Sequence, residues 1–319
     1  MAVHTKLSKH DISLITKKYN IGNLIKHVAI KEGIENTNYK IITTKNQFIL
    51  TLYENRVKKK NLPFYLELML YSKKKGIPCP QPIKDKNGNI INNFYSKKIS
   101  ICSFLNGKSK KKWNSYDCLL IGKNLGYFHR KNKYFKKKLN NDFRQNFWNY
   151  IATKLDYNKV DKIIPDSNKF IKEEIKFLKY YWPQKLPKGI IHADLFPDNV
   201  LFNNQEITGI LDFYFSCNDS YIYDFAITSN AWCFNNGIFK RNFFKNFVKG
   251  YELIRPLTNN EKINLNIIFR GASLRFLLTR LYDQKNILGS KLIKSKNPIE
   301  FYNILKFHKS LDKGFNYFE

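Results

Sequence analysis

Apolar and polar residues alternate between Val28 and Leu52, in the stretch VAIKEGIENTNYKIITTKNQFILTL. Alternation with a period of two is typical of half-buried β-strands, and Lys45-Asn46 offers a turn between two of them. A helix is predicted from about Pro63 to Lys75, with Gly76 past its end. The segment IPCPQPI is predicted to be strand-like, and a hairpin is predicted around Asn87-Gly88. The first part of the chain is therefore predicted to be a β-rich lobe with one helix.

Helical periodicity replaces this pattern after Gly107. Apolar residues recur at helical spacing at Ile121, Leu125 and Phe128, and again over the long stretch from Glu261 to Asp283. Only residues 189–215 return to strand character. The chain is therefore predicted to be an α+β protein of two lobes, a small antiparallel β lobe in residues 1–105 and a larger, mainly helical lobe in residues 106–319.

The composition fits a globular protein. The chain has 319 residues, of which 43% are hydrophobic and 16% aromatic, enough to bury a substantial core. Charges interrupt the first thirty residues, and no uncharged stretch is long enough to span a bilayer, so we expect a cytoplasmic protein without a membrane partner. Five scattered cysteines without a C-x-x-C pair predict reduced thiols, with neither disulfides nor a zinc site.

A net charge of +31 raises the question of nucleic-acid binding. Only eight of the 56 basic residues are arginine, the residue best suited to phosphates and base edges. Lys, Asn, Ile, Phe and Tyr, all abundant here, share A/T-rich codons, so compositional drift accounts for the charge. The lysine runs are interpreted as solvated surface, with direct nucleic-acid contact as the less favoured alternative.

The chemistry-bearing residues are concentrated in the segment IIHADLFPDNVLF, residues 190–202. Two short apolar strands flank a loop at residues 195–198, which contains a proline. Asp194 and Asn199 lie at opposite ends of this loop, and Asp212 lies at the end of the next strand. We therefore expect the three side chains to converge.

Two oxygen donors, from Asn199 and Asp212, form a sparse site of the kind that Mg²⁺ occupies when substrate phosphates and waters complete its shell. Asp194 is then available to accept a proton from a hydroxyl, as in a phosphoryl-transfer kinase. The spacing H-x-D-x-x-x-x-N, followed by Asp212 in the position of the D-F-G aspartate, fits that class. The alternative is that these residues form turns; His192 is interpreted as a structural residue that orients the loop.

The chain resembles the aminoglycoside phosphotransferase-like branch of the protein-kinase-like fold, and within it the homoserine kinases of bacteria. The resemblance rests on the segment above and on LDFYFSCNDSYIYDFAITSNAWCF, FILTLYENRV, LPFYLELM, GIPCPQPI and LRFLLTRLYD. It implies transfer of the γ-phosphate of ATP to the side-chain hydroxyl of L-homoserine, a step towards threonine. It also implies that Asp194 is the catalytic base and that Asn199 and Asp212 bind Mg²⁺.

The same resemblance implies a nucleotide site in the first lobe. Its residues are Gly33, Asn36, Asn38, Glu67, Ser103 and Leu105. The segment with Gly33 is no G-x-G-x-x-G, and Asn36 and Asn38 are equally compatible with turns. Ser103 and Leu105 fall at the connector that meets adenine. Glu67 corresponds to the glutamate that holds the ATP lysine, and an exposed helix carboxylate is an equal alternative.

One departure from the kinase pattern concerns the third strand, FILTLYE. Thr51 stands where kinases of this fold have a phosphate-binding lysine, and a threonine cannot neutralise phosphate charge. Either another cation replaces it, with Arg56 or a lysine of the N-terminal strands as candidates, or Mg²⁺ carries more of the charge. The departure belongs to the homoserine kinase pattern and does not indicate a dead enzyme.

The acceptor site must bind the carboxylate and the ammonium of L-homoserine. One hypothesis is that Arg275 or Arg280 binds the carboxylate, with Asp219 or Asp224 near the ammonium. The alternative, slightly favoured, is that these residues form a structural network behind the metal loop.

Two further functions remain open from the sequence. A kinase of the same fold acting on choline or an aminoglycoside would need an aromatic cage or an acidic groove, which fit a basic chain less well. A catalytically silent kinase-like protein that holds a nucleotide or RNA would show steep salt dependence instead of catalysis.

Overall fold

The computed structural model of the chain describes residues 5–30, 36–54, 57–287, 296–311 and 317–318, with the backbone alone for residues 285–287. These residues fall into two units. The first contains residues up to 108 together with 135–137 and 200–214, and the second contains 109–134, 138–199 and those from 215 onward. The boundary expected between residues 105 and 106 stays a prediction. Gly33 and Arg56 lie outside the described residues.

Up to residue 108 the elements of the first unit are α1 (Lys9–Lys17), β1 (Leu24–Ile30), β2 (Thr37–Thr43), β3 (Gln47–Tyr53), α2 (Leu62–Lys74), β4 (Asn92–Phe94) and β5 (Lys97–Ser103). These five strands form an antiparallel sheet of order β1-β2-β3-β5-β4. The predicted strands, and the turn at Lys45-Asn46, are confirmed.

The two faces of this sheet differ in polarity. Along β2, Tyr39 and Ile41 are buried, whereas Asn38 and Lys40, which point to the other face, are only half-buried. Helix α1 is part of the same hydrophobic core as the buried face, contributing residues such as Ile12. The sheet therefore has one apolar face and one face that keeps polar side chains available.

Helix α2 confirms the predicted helix, with proline in its first turn and Gly76 past its end in the left-handed region at φ 84°. The prediction of a single helix in this lobe is wrong, because α1 also forms, capped by the reciprocal hydrogen bonds of Ser8 and Asp11. The hairpin predicted around Asn87-Gly88 is wrong: a turn forms there, closed by the Asp85 carboxylate, which accepts the N–H groups of Asn87 and Asn89, but it does not join two paired strands, and the hairpin of this region is formed by β4 and β5. The prediction of a strand over IPCPQPI is wrong. Its three prolines lack N–H donors, so only isolated bonds to β5 form, such as Ile83 N to Ile101 O.

The second unit is mainly helical. After β5 the helices are α3 (Ser115–Lys131), α4 (Gln145–Lys154), α5 (Tyr157–Val160) and α6 (Ser167–Tyr181); β6 (Lys188–Ile191), β7 (Val200–Asn203), β8 (Glu206–Ile210) and β9 (Cys217–Ser220) follow. The chain continues with α7 (Tyr221–Trp232), β10 (Phe234–Asn235), β11 (Ile238–Phe239), α8 (Arg241–Glu252), α9 (Asn259–Ile263), α10 (Leu265–Ile287) and α11 (Pro298–Ser310). The predicted helices near Leu125 and over residues 261–283 are confirmed.

Helices α3 and α8 pack at very close range through glycines. A Cβ atom on Gly122 would lie 2.0 Å from the Phe247 carbonyl oxygen, and one on Gly250 would lie 2.0 Å from the Leu119 carbonyl oxygen. Only glycine allows the two backbones to approach this closely.

The strands of residues 188–220 are divided between the two units. β6 pairs with β9 in the second unit, and β7 pairs with β8 in the first, through a turn at Asn204-Gln205. Asn204 adopts a φ of 53°, which asparagine tolerates. Within the described part of the chain, none of the helices combines the length and apolarity that crossing a membrane requires. All five cysteines are free thiols and are buried.

Candidate active site

The candidate catalytic loop begins where β6 ends. β6 carries the chain into the core of the second unit, so that His192 is 1% exposed while Asp194, two residues on, is only half-buried. A short 3₁₀ turn, Pro197–Asn199, then returns the chain. The loop therefore presents the Asp194 carboxylate from a buried base, and the structural role predicted for His192 is consistent with its burial.

Asp194 and Asn199 are brought together as predicted. The Asn199 Nδ2 donates to the Asp194 Oδ2 at 2.9 Å and to the Asp194 carbonyl oxygen at 2.8 Å. Both hydrogens of this amide nitrogen are thereby directed at Asp194, which fixes the orientation of the amide. The Asn199 Oδ1 is the remaining acceptor of the amide, and it is the atom available to a cation.

Ala193, directly before Asp194, has a φ of 62°. The left-handed region costs a non-glycine residue about 1–2 kcal/mol, so the surrounding contacts must hold it there. The Asp224 Oδ1 accepts the Ala193 N–H at 2.8 Å, and the Arg275 Nη1 donates to the Ala193 carbonyl oxygen at 2.9 Å. Both polar groups of this residue are therefore held by charged side chains.

Asp224, at the start of α7, holds the backbone of the loop through hydrogen bonds to its carboxylate. Its Oδ2 also accepts the His192 N–H at 2.7 Å and a hydrogen bond from the His129 Nε2 at 2.9 Å. Burial opposes ionisation of this carboxyl, but the hydrogen bonds from His129 and the loop backbone outweigh it and hold the pKa of Asp224 below its usual value. Asp224 is thus ionised at neutral pH.

The protonation states of the buried side chains that are hydrogen-bonded in series to Asp224 follow from their contacts. Burial lowers the pKa of His129, so its ring is neutral, and an ionised Asp224 requires the hydrogen on Nε2. The His129 Nδ1 then accepts a hydrogen bond from the Tyr251 hydroxyl at 2.8 Å, and Arg255 donates to that hydroxyl at 3.1 Å. The loop is therefore connected through His129 to α8.

Arg275 is 1% exposed and lies among aromatic rings. Its guanidinium carbon is 4.6 Å from the ring centroid of Phe276 and 4.9 Å from that of Phe143, within the range of cation–π attraction. Its Nε has no hydrogen-bond partner among the residues that the structure describes. The contact with Ala193 makes Arg275 a residue that positions the loop.

Asp212 lies in the first unit, two residues after β8. It has a φ of 57°, and its Oδ1 accepts the Tyr214 N–H at 3.4 Å. A 3₁₀ turn, Phe213–Phe215, follows it, and Phe213 is fully buried. The carboxylate is therefore carried on a tight turn whose next residue is anchored in the interior.

The nucleotide candidates lie on and beside the sheet of the first unit. Asn38 is on the polar face of β2, where its Oδ1 accepts a hydrogen bond from the Thr51 hydroxyl at 2.8 Å. The Asn36 Oδ1 accepts the Glu54 N–H at 3.3 Å. Ser103 ends β5, and its Oγ accepts the Gln81 N–H at 2.9 Å. These contacts leave both the turn interpretation and the nucleotide role open for the asparagines.

Glu67, on α2, and Leu105 complete this set. The Glu67 carboxylate pairs with the Lys137 ammonium at 2.6 Å, and both side chains are more than a third exposed. Glu67 is therefore paired with Lys137, in the absence of a lysine at position 51. Leu105 packs near the backbone of β8, because a Cβ on Gly209 would lie 3.0 Å from the Leu105 Cδ1.

Asp219 and Arg280 are each occupied by partners within the second unit. The Arg144 Nη1 contacts both oxygens of Asp219, at 2.9 and 3.0 Å, and Asn141 donates to the same carboxylate. Arg280 donates to the Glu300 carboxylate at 2.6 Å and to the Asn297 carbonyl oxygen at 2.7 Å. Together with the contacts of Asp224 and Arg275, this favours the structural network that the sequence left as an alternative.

The donor chemistry of the predicted metal residues fits Mg²⁺. An amide oxygen and a carboxylate are hard oxygen ligands, and Mg²⁺ commonly keeps only one or two protein ligands beside phosphates and waters. Among the described residues there is no group of three or more His, Cys, Asp or Glu that could hold a metal ion by itself.

Sequence reasoning missed the residues that support the loop. His129 and Arg144, which contact the predicted site residues Asp224 and Asp219, were not singled out, and neither was Tyr251, which contacts His129. Arg144 could have been found from the scarcity of arginine, because only eight of the 56 basic residues are arginine. His129 gave no signal, because its partner Asp224 lies 95 residues away.

The family follows from comparison with known proteins. The profile of the phosphotransferase enzyme family matches residues 26–258, well over half of the chain. The chain therefore belongs to this family of phosphotransferases.

Two full-length relatives narrow the class. The homoserine kinase of Bartonella henselae is 40% identical over 313 residues, 98% of both chains, and that of Agrobacterium fabrum is 38% identical over 312 residues, 98% of this chain and 97% of the relative. Within the family the chain belongs with the homoserine kinases.

Solved structures support the fold. An amicoumacin kinase matches with a TM-score of 0.71 and 14% identity, covering 95% of this chain and 92% of its own. A spectinomycin phosphotransferase matches with a TM-score of 0.65 and 14% identity, covering 95% of both. The predicted α+β protein-kinase-like fold is confirmed; at this identity the likeness concerns the fold alone.

Proposed function

We propose that this chain is an ATP-dependent homoserine kinase, which transfers the γ-phosphoryl group of ATP to the side-chain hydroxyl of L-homoserine and forms O-phospho-L-homoserine and ADP. The observation that carries the proposal is the geometry of the loop, in which Asn199 holds the Asp194 carboxylate at 2.9 Å in a half-buried position. The names of the full-length relatives, at 36–40% identity, support homoserine as the acceptor. The reaction is a step towards threonine.

In the proposed mechanism, Asp194 accepts the proton of the homoserine hydroxyl as its oxygen forms a bond to the γ-phosphorus and the bond from that phosphorus to the β,γ-bridging oxygen of ATP breaks. Asn199 and Asp212 would hold Mg²⁺, which when bound supplies charge neutralisation to the phosphates. Assignment of one ion to both residues rests on their order in the sequence and on their donor chemistry. The Asn199 amide has a second role, because its nitrogen fixes the Asp194 carboxylate.

Nucleotide binding is proposed for the polar face of the first unit's sheet. Asn38 lies on this face, Ser103 and Leu105 lie at its end beside Phe104, and Gly33 and Asn36 belong to the segment between β1 and β2. The Lys40 ammonium on the same face lies 4.0 Å from the Phe104 ring centroid. It is a candidate for the cation that replaces the lysine absent at position 51.

For the acceptor, the contacts support a structural role for four candidates. Asp224 and Arg275 hold the loop backbone, and Asp219 and Arg280 have charged partners of their own. The hypothesis that Arg275 or Arg280 binds the homoserine carboxylate stays a prediction, which the KM for homoserine tests. The free thiols support the proposed cytoplasmic location.

The test is an ADP-release assay with Mg-ATP and L-homoserine, L-threonine, L-serine, choline or kanamycin as acceptor. Asp194→Asn should lower kcat about 10²–10⁴-fold, the usual contribution of a positioned base. Asp198→Asn is the matched control, because this carboxylate lies in the same loop but is exposed and forms an ion pair with Lys296. Turnover confined to choline or kanamycin, or equal loss in both variants, contradicts the proposal.

A further inference from the structure

Tyr214 follows Asp212 and Phe213, at the position where a D-F-G motif has glycine. A tyrosine there is not required by the turn, so its contacts are informative. Its hydroxyl forms a hydrogen bond with the Tyr53 hydroxyl on β3 at 3.1 Å. The Tyr53 hydroxyl in turn forms a hydrogen bond with the Ser100 Oγ on β5 at 2.7 Å. The side chain of Tyr214 is thus fastened to the sheet.

The ring of Tyr214 is also held from a second side. It packs edge-on against the ring of Tyr53, with centroids 5.5 Å apart, and against the ring of Tyr65 on α2, with centroids 5.8 Å apart. Edge-to-face pairs at these distances are favourable beyond their buried area. We call Tyr53, Tyr65 and Tyr214 the tyrosine clasp; it joins β3, α2 and the segment that carries Asp212, all within the first unit.

The clasp lies where an ion pair is missing. In a kinase, a lysine on the third strand pairs with a glutamate on the following helix, and this pair and the metal-binding aspartate must be in place together. Here Thr51 replaces the lysine and is the register partner of Ser100, while Glu67 on α2 pairs with Lys137 instead. The strand and helix that the ion pair would connect are connected by tyrosine rings.

A fixed Tyr214 side chain also orients the Asp212 carboxylate. The Tyr214 backbone N–H donates to the Asp212 Oδ1 at 3.4 Å, and Asp212 is held in the left-handed region at φ 57°. Movement of Tyr214 would carry its N–H away from the carboxylate.

We propose that Tyr214 is a positioning residue that, through Tyr53 and Tyr65, fastens the Asp212 segment to β3 and α2 and takes over the mechanical role of the absent lysine–glutamate pair. The proposal rests on the proposed function, since it requires that Asp212 bind a divalent cation. It explains why the chain can lack the lysine at position 51 and still hold its metal-binding aspartate in place.

The test measures Mn²⁺ binding in the presence of ADP by electron paramagnetic resonance, a readout independent of turnover. Tyr214→Phe and Tyr53→Phe keep the rings and remove the shared hydroxyl bond, so each should weaken Mn²⁺ binding about fivefold, the usual value of one buried hydrogen bond. The double variant should bind Mn²⁺ as tightly as Tyr53→Phe alone does, because the two changes remove the same hydrogen bond. Tyr214→Leu, which also loses the ring contacts, should weaken binding further.

The matched control is Tyr19→Phe. Tyr19 is a buried tyrosine of the same unit, and its hydroxyl accepts a hydrogen bond from the Asn92 Nδ2 at 3.0 Å, away from the clasp. It should lower the melting temperature as much as Tyr214→Phe does but leave Mn²⁺ binding unchanged. A structural role alone would leave Mn²⁺ binding unchanged in the clasp variants as well.

Asp212→Asn distinguishes a failure of the inference about Tyr214 from a failure of the metal assignment in the proposed function. Weak Mn²⁺ binding in Asp212→Asn with wild-type binding in Tyr214→Phe, Tyr53→Phe and Tyr214→Leu overturns the inference alone. Wild-type Mn²⁺ binding in Asp212→Asn overturns the metal assignment of the proposed function and the inference with it. Weakened binding in Asp212→Asn and in the clasp variants, but not in Tyr19→Phe, supports both.

Discussion

Asp224→Asn tests how the loop is held, because it removes one charge and changes almost no volume. The carboxylate accepts three hydrogen bonds, from the N–H groups of His192 and Ala193 and from the His129 Nε2. An amide has one oxygen, so its NH₂ group must face a donor. If the oxygen stays near His192 and His129, the Ala193 N–H loses its acceptor; if the amide turns over, the His192 N–H loses its acceptor.

The magnitude follows from this count. One buried N–H left without an acceptor costs about 1–3 kcal/mol, and the left-handed backbone of Ala193, worth about 1–2 kcal/mol, loses part of its support. Removal of a buried charge offsets some of this cost. We expect a loss of about 2 kcal/mol in the free energy of unfolding and, because Asp194 adjoins Ala193, a fall in kcat of about 10–100-fold.

The sign of the pH dependence gives a second check. Because the pKa of Asp224 is lowered in the folded state, its contribution to stability is present above the unfolded value of about 3.9 and is lost as pH falls through the folded pKa. Asp224→Asn should therefore lose less stability on acidification than the wild-type chain.

The assay combines urea unfolding between pH 3 and 7 with steady-state kcat. Glu174→Gln is the matched control, since Glu174 is a fully buried carboxylate of the same unit paired with Arg270 rather than with the loop. It should lower stability without a comparable loss of kcat. Asp224→Asn with kcat within twofold of wild type would refute the idea that this carboxylate holds the loop.

Three further predictions concern the second unit. Burial lowers the pKa of His308 to about 3, so its ring stays neutral in the folded chain at pH values at which it is protonated in the unfolded chain. The free energy of unfolding should therefore fall as pH drops from about 6.5 towards 3, and His308→Gln should make this pH dependence shallower. An unchanged slope would contradict the assignment. Gly250→Ala should lower the unfolding free energy by about 2 kcal/mol or more, because its Cβ would meet the Leu119 carbonyl oxygen at 2.0 Å, with kcat retained in the folded fraction; equal stability would show that α3 and α8 separate readily. Arg280→Lys should leave the KM for homoserine unchanged, since Arg280 is paired with Glu300; a tenfold rise in KM with unchanged stability would favour the carboxylate-binding hypothesis instead.

The part of the site predicted from the sequence is the part that local structure controls. Asp194 and Asn199 are five residues apart in one loop that closes on itself through their own hydrogen bonds, so spacing and turn chemistry were sufficient. The strands of the first sheet were equally accessible, because one face is buried and the other is not. The IPCPQPI prediction failed because apolar character was weighed without the donors that proline lacks.

The remainder depends on contacts between distant residues. From the sequence, one hypothesis placed Asp219 or Asp224 near the substrate ammonium, and a structural network was the slightly favoured alternative. The contacts that support the structural role of Asp224 come from His129, 95 residues before it, and from the loop, 31 and 32 residues before it. The tyrosine clasp joins residues up to 161 apart in the chain. Its three members lie in segments that carry the family resemblance, but none of these segments predicts a contact with another. Such partners follow from the packing of helices and strands, which a single sequence does not reveal.

The central claim is most directly tested by identification of the product. Mg-[γ-³²P]ATP and L-homoserine are incubated with the wild-type chain and with Asp194→Asn, and the labelled product is separated and compared with O-phospho-L-homoserine. We expect label on the homoserine side-chain oxygen with the wild-type chain and at least a hundredfold less with the variant, as loss of a positioned base requires. Label on no acceptor, or equal product from both proteins, would contradict this claim.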